Sequence, residues 1–428
     1  MYKNPPRNGY FRIFAPVHTL CQMNDDTIHI RAQFPALQQH VYGKPLVYLD
    51  NAATTQKPRQ VLEALADLEG KTNGNIHRGV HYLSALCTDR YESARRTIQQ
   101  FIGAKHEYEV IFTSGATAAV NLVAYSFGEA FVKAGDVVLV GEAEHHANIV
   151  PWQLMCNRKG ASVKVLPIDD DGFLRTDLLP DLLDERVRLL AVSHISNVLG
   201  LINPVKEIVR LAHERGVPVL IDGAQGIVHE KIDVRDINSD FYLFSGHKLF
   251  GPTGTGVLYG KEEWLEKMPP WQGGGDMIAS VSFDKTVYAD LPLKFEAGTP
   301  NYIGQIGLGV AVDFVTSLDP CKVAAHMHQL AQTGMTKLNE IEGIKIYGVG
   351  EGKIPLFSCS VDGVHASDLA TLLDKMGYAV RSGQMCAEPV LSRFGQTNLL
   401  RASFAIYNTQ EELLGFIEAL QKTIMMLQ

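Results

Sequence analysis

Short runs rich in Val, Ile, Leu and aromatic residues recur through the first two-thirds of the chain. They lie at 109–113, 136–140, 162–166, 187–193, 217–222, 240–244 and 256–259. Each has the length and the bounding residues of a strand buried on both faces. Between several of them, apolar residues return at helical spacing. Segment 204–215 is the clearest. Val205, Ile208, Leu211 and Ala212 make a stripe, Asn203 suits the N-cap, Pro204 the first turn and Gly216 the stop. Strands alternating with helices predict an α/β fold whose large, mostly parallel, seven-stranded sheet is covered on both faces.

The pattern changes near residue 300. The last helix is expected from Leu413, Ile417, Leu420, Ile424 and Leu427, with Thr409 and Glu412 as a capping box before it. A large α/β domain is expected over 41–299. A smaller α+β domain combines 23–40 with 300–428. Residues 1–22 carry three basic residues, no acid and three prolines. They are read as a disordered or non-native extension, with Met23 as the natural start.

Composition narrows the function. Of 428 residues, 46% are hydrophobic and 20% charged, which is globular usage. Thirty-nine basic residues face 47 acidic ones, a net charge of −8, which argues against a nucleic-acid partner. Segment 110–128 has no charge, but Thr113, Ser114, Gly115, Thr117, Asn121 and Ser126 break it, so no membrane span is expected. The six cysteines, at 21, 87, 156, 321, 359 and 386, form no C-x-x-C pair. A disulfide scaffold and a metal site have no support, and a reducing, cytoplasmic setting fits.

Ligands of open α/β sheets collect beyond the carboxyl ends of the strands. Asp222 ends one run there. Ser245, His247 and Lys248 follow another, and Thr113, Ser114 and Gly115 a third. A lysine among glycines and apolar neighbours loses its charge by desolvation and becomes a Schiff-base nucleophile. A carboxylate at a buried strand end needs a cation, and a protonated pyridine nitrogen is one. A phosphate needs the amides of a helix start, which Gly115, Ala116 and Thr117 offer, with the Ser245 hydroxyl. Taken singly, Lys248 reads sooner as a surface lysine on a Gly-rich loop, and Asp222 also reads as a helix cap or half of an ion pair.

Together with Tyr48-Leu49-Asp50-Asn51-Ala52-Ala53-Thr54, Asn75-Ile76-His77-Arg78-Gly79-Val80-His81, Glu144-His145-His146-Ala147-Asn148, Ser196-Asn197-Val198-Leu199-Gly200, Phe295-Glu296-Ala297-Gly298-Thr299-Pro300-Asn301 and Arg401-Ala402-Ser403, these residues carry a resemblance. From about Ile30 to its end the chain resembles the group II, SUF-system cysteine desulfurases. These, with the selenocysteine lyase-like enzymes, belong to the fold-type I enzymes dependent on pyridoxal 5'-phosphate. The resemblance implies that Lys248 binds the cofactor covalently, Asp222 pairs with its ring nitrogen, Gln225 meets its ring hydroxyl and His145 stacks on it. Thr117, Ser245 and His247 bind the phosphate beside Ala116, joined by Thr299 from the second subunit of a homodimer. Asn197 and Arg401 hold the substrate carboxylate, Arg381 lies near the thiol, and His77 lines the pocket.

Cys386 completes the set, fifteen positions before Arg401, as the sulfur-accepting cysteine of the family stands before its arginine. Two histidines commonly precede that cysteine. Here Gln384 and Met385 do, which removes a candidate proton donor. The resemblance implies conversion of L-cysteine to L-alanine. The sulfur passes through a Cys386 persulfide to a small SUF-type acceptor protein, for iron–sulfur cluster or other cofactor assembly. The alternatives are a selenocysteine lyase and, from another class, a non-catalytic docking subunit of a sulfur-transfer assembly.

Overall fold

The computed structural model describes residues 23–428, so the extension expected at 1–22 lies outside the described residues. All seven expected runs are strands, with bounds shifted by one or two residues at most. They are β1 (Val110–Thr113), β2 (Val137–Gly141), β3 (Ser162–Leu166), β4 (Val187–Ser193), β5 (Val219–Asp222), β6 (Phe241–Ser245) and β7 (Gly256–Gly260). Pro218 has no N–H to give a ladder, so β5 starts after it. The sheet order is β1-β7-β6-β5-β4-β2-β3. Only β7 runs against its neighbours, antiparallel to β1 and β6; the remaining pairs are parallel.

The two-residue period of a strand divides the core. Val137, Leu139, Val219, Ile221, Tyr242 and Phe244 pack on one face. Val138, Val140, Leu220, Phe241 and Leu243 pack on the other, under the helices Ala116–Phe131 and Val150–Lys159. Continuously apolar strands are what a sheet covered on both sides requires. At the edge, β3 is partly exposed.

The helix expected at 204–215 spans Val205–His213 and buries Val205, Ile208, Val209 and Ala212. Its cap differs from expectation. The Asn203 amide turns inward and donates to Ser193 O at 2.8 Å, because that buried carbonyl at the end of β4 needs a partner. Pro204 stands at the helix entrance instead, and Gly216, at φ +69°, ends the turn as expected.

A second, antiparallel sheet contains β8 (Ile344–Tyr347), β9 (Leu356–Val361), β10 (Arg381–Gly383) and β11 (Leu399–Ser403), in the order β8-β9-β11-β10. The helix Gln410–Leu427 covers it with Leu413, Ile417, Leu420 and Ile424 buried, and Thr409 and Glu412 form the expected capping box. Leu427 is exposed rather than part of that stripe. The early chain joins this region. Val47–Tyr48 pairs with Tyr378–Ala379, Asp50 bridges to Ser403, and Phe34, Leu37 and Leu49 share its core. Register then sets Arg381 directly opposite Arg401, with Asp50 one step away. Among the described residues no helix is long and apolar enough to cross a membrane.

Candidate active site

Ser193 and Asp222 are register partners at the ends of β4 and β5, and Ser245 ends β6. Beyond this rim lies a cavity lined by Ala116, Thr117, His145, Asp222, Gln225, Ser245, His247 and Lys248. Asn197, Arg381, Cys386 and Arg401 line the same cavity from the side of the second sheet. Twelve of the fourteen residues singled out in the sequence therefore surround one space.

At one end β1 turns into the helix Ala116–Phe131 through Gly115, whose φ of +149° L side chains rarely adopt. Gly115, at the N-cap, has no side chain to cap this helix. Ser245 Oγ accepts the Ala116 N–H at 2.8 Å, and its own hydroxyl proton remains to be donated. A helix start whose N-cap lacks a side chain, with a hydroxyl beside it, suits an anion. His247 is held well below the usual imidazole range, near 4, by burial and then by the Lys248 charge.

In the middle, the Asp222 carboxylate is buried and accepts the Ala224 N–H at 2.9 Å. Burial raises its pKa, and the Lys248 charge opposes the rise. Burial lowers Lys248 to about 8, against which Asp222 acts. This carboxylate suits a cationic ring nitrogen, and this amine suits attack on an aldehyde, so the residues fit pyridoxal phosphate. Above them His145 is held near 4, first by burial and then by Lys248, which leaves a neutral ring. Its Nδ1 accepts the Ala147 N–H at 3.0 Å, which fixes the ring plane. Gln225 donates from Nε2 to Ala52 O at 2.8 Å.

At the far end Arg401 is 2% exposed. It donates to Asn197 O at 2.9 Å and to Asp50 Oδ1 at 3.0 Å, while its buried Nε has no partner among the described residues. A buried guanidinium N–H without an acceptor suits an anionic ligand. The Cys386 thiol shares this end. It lines the cavity together with Lys248 and Arg401.

Three of the expected site residues have settings of their own within the single chain. Asn197 lines the cavity, and one of the two N–H donors on its Nδ2 goes to Met385 O at 2.8 Å and so holds the cysteine loop. His77 does not line this cavity, because its Nε2 is held by Glu92 at 3.2 Å. Thr299, expected to serve the second subunit's site, is exposed and stands outside this single-chain lining.

Other residues escaped the sequence reading. Asp50 pairs with Arg401 and lies 3.8 Å from Arg381. Its signal was present, an acid closing an apolar run just as Asp222 does. Glu144 is wholly buried and burial raises it to about 8. It accepts from Ser193 N at 2.8 Å and from Asn148 Nδ2 at 2.7 Å, pinning the His145 segment to β4. His146 touches the cysteine loop, and no spacing rule foretold that.

The fold and this constellation define an enzyme of fold type I dependent on pyridoxal phosphate. The chain belongs to the aminotransferase class-V family, which matches residues 47–416. It is 49% identical over 395 residues to a probable cysteine desulfurase of Vibrio cholerae, covering 92% of this chain and 98% of that one. It superposes on the crystal structure of the cysteine desulfurase CsdA of Escherichia coli with a TM-score of 0.88 at 40% identity, over 94% and 99% of the two chains. A cysteine desulfurase of Thermococcus onnurineus NA1 gives 0.86 at 34% identity, over 92% and 99%.

Proposed function

We propose that this chain is a cysteine desulfurase of the group II, SUF-system type, converting L-cysteine to L-alanine and carrying the sulfur as a persulfide on Cys386. The observation that carries the reading is a thiol in the same cavity as Lys248, Asp222 and Arg401. A transamination or simple lyase site has no use for that thiol.

Pyridoxal phosphate, when bound, supplies an electron sink that lets the Cα–H and then the Cβ–S bond break heterolytically. Lys248 anchors it, the amides of Ala116 and Thr117 with Ser245 and His247 take the phosphate, and Asp222 keeps a proton on the ring nitrogen. Arg401 takes the substrate carboxylate through its unpartnered Nε–H. The Lys248 amine, neutral above about pH 8, removes the Cα proton. Cys386 Sγ then bonds to the substrate sulfur as the Cβ–S bond breaks. The bonding pair stays with carbon, which takes up protons and leaves as L-alanine. Sulfur is oxidised to the persulfide level and carbon is reduced, so no outside oxidant is required.

A persulfide is useful when a second thiol collects it, so the partner is a small sulfur-acceptor protein serving iron–sulfur cluster assembly in the cytoplasm. A second copy of this chain is the other partner. Val80 and Phe283 are fully exposed, Tyr82 and Val281 largely and Tyr288 about half so, and such apolar clusters mark interfaces. The Arg78–Asp276 ion pair at 2.6 Å ties their two segments together. Gly298 N–H donates to Gly275 O at 2.9 Å, so exposed Thr299 follows a residue tied to this region, which supports a role for it at the partner's phosphate.

Purified protein given L-cysteine and a thiol acceptor is expected to make alanine. Lys248→Ala is expected to lower the rate by at least about a hundredfold, the usual worth of a positioned base. Wild-type alanine production by Lys248→Ala overturns the reading. A parallel arm with L-selenocysteine reads substrate preference: a selenocysteine lyase loses little on Cys386→Ala, a desulfurase nearly everything with L-cysteine.

A further inference from the structure

Met385 and Cys386 both sit in the left-handed region, at φ +54° and +53°. Neither is glycine, and each such residue carries a steric cost of about 1 kcal/mol. Strained pairs persist where surrounding contacts over-determine them. The contacts here come from the opposite side of the cavity. Asn197 Nδ2 donates to Met385 O at 2.8 Å, and His146 N donates to Cys386 O at 2.7 Å. The His146 ring adds a third, accepting the Glu388 N–H on Nε2 at 3.0 Å. Met385 is buried in the main core, whereas Cys386 between these anchors stays exposed.

His146 thus grips the backbone on both sides of Ala387, once through its own N–H and once through its ring. Glu388 begins the short helix Glu388–Arg393, and its N–H is one of the amides a helix start leaves unpaired. With Nε2 accepting, the ring carries its proton on Nδ1. His146 also follows directly on His145, whose ring faces the cofactor space. One dipeptide therefore orients the cofactor with its first ring and the sulfur acceptor with its second. The second ring stands outside the cavity lining.

We propose that His146 is a positioning residue for sulfur transfer: its ring Nε2 and backbone N–H fix the strained Met385–Cys386 turn so that the thiol points at the substrate sulfur. This rests on the desulfurase reading above.

The test compares His146→Leu and His146→Gln in the cofactor-loaded enzyme. The glutamine side-chain oxygen reaches about as far as Nε2 and accepts the same N–H. His146→Leu is expected to lower kcat for persulfide formation on Cys386 about tenfold, one hydrogen bond's worth. The KM for L-cysteine and the cofactor absorbance band stay as in wild type. His146→Gln is expected to recover most of the rate. Wild-type kcat in His146→Leu overturns the proposal. So does a His146→Gln enzyme as slow as the leucine variant, because ring packing rather than the acceptor then matters. A shifted cofactor band in both variants also overturns it, since the effect then runs through His145. If wild type itself forms no persulfide on Cys386, the desulfurase reading falls first, and the two failures are distinct.

Discussion

Lys248 and Asp222 work through what burial does to each charge. The lysine loses proton affinity and the aspartate gains it, and each opposes the shift of the other. Their signal in the sequence was position at strand ends, and the resemblance sharpened it. Asp50 gives the same kind of signal, but its partner Arg401 lies 351 positions away, beyond any local pattern. The lysine has a pH consequence. An unfolded lysine keeps its proton to its ordinary pKa of 10.5, whereas the folded one releases it near 8. The proton therefore costs stability in full below pH 8, and the cost fades as pH rises from 8 to 10.5. The same sign governs chemistry. In cofactor-free protein, the rate of pyridoxal phosphate capture is expected to rise about tenfold per pH unit below 8 and to level off above it. A rate still climbing at pH 10, followed by absorbance, contradicts this.

Strands and turns aim these side chains. Pressing β7 against the β1 turn brings Ser245 Oγ to the Ala116 amide, and two glycines permit it. A Cβ on Gly256 would stand 2.4 Å from Gly115 Cα, on backbone that cannot give way. Gly256→Ala is expected to push the helix start from Ser245 and to weaken cofactor affinity by about five- to a hundredfold, as overpacking of about 1–3 kcal/mol implies. Unchanged affinity in a cofactor titration contradicts it. At this scale the sequence was most readable where patterning and sterics agree, as in the seven strands and the final capping box. It was least readable where tertiary need overrides local preference. Asn203 left the helix cap to satisfy β4, and Asn197 turned to the cysteine loop. Both follow from buried carbonyls that no periodicity reveals.

For the whole molecule, the N-terminal segment closes on the C-terminal sheet and brings Asp50, Arg381 and Arg401 together. That sheet also carries Cys386 to the rim of the first. His77 and Thr299 lie outside the single-chain cavity, and contacts with a second copy cannot be read from the periodicity of one chain. The exposed cluster around Val80 and Phe283 predicts a dimer in sedimentation equilibrium. Val80→Asp combined with Phe283→Asp is expected to sediment as a monomer with a weakened cofactor site. A monomeric wild type, or a variant still dimeric, contradicts it. The central claim is that one cavity joins cofactor chemistry to a sulfur-accepting thiol. The most direct test incubates the enzyme with sulfur-labelled L-cysteine, alkylates it at once and maps the label by mass spectrometry, in wild type and Cys386→Ser. The account predicts one labelled sulfur on the Cys386 peptide, alanine in equal amount in the first turnover, and no protein-bound label in the variant. Label on another cysteine, or alanine and labelled acceptor formed at the wild-type rate by Cys386→Ser, contradicts it.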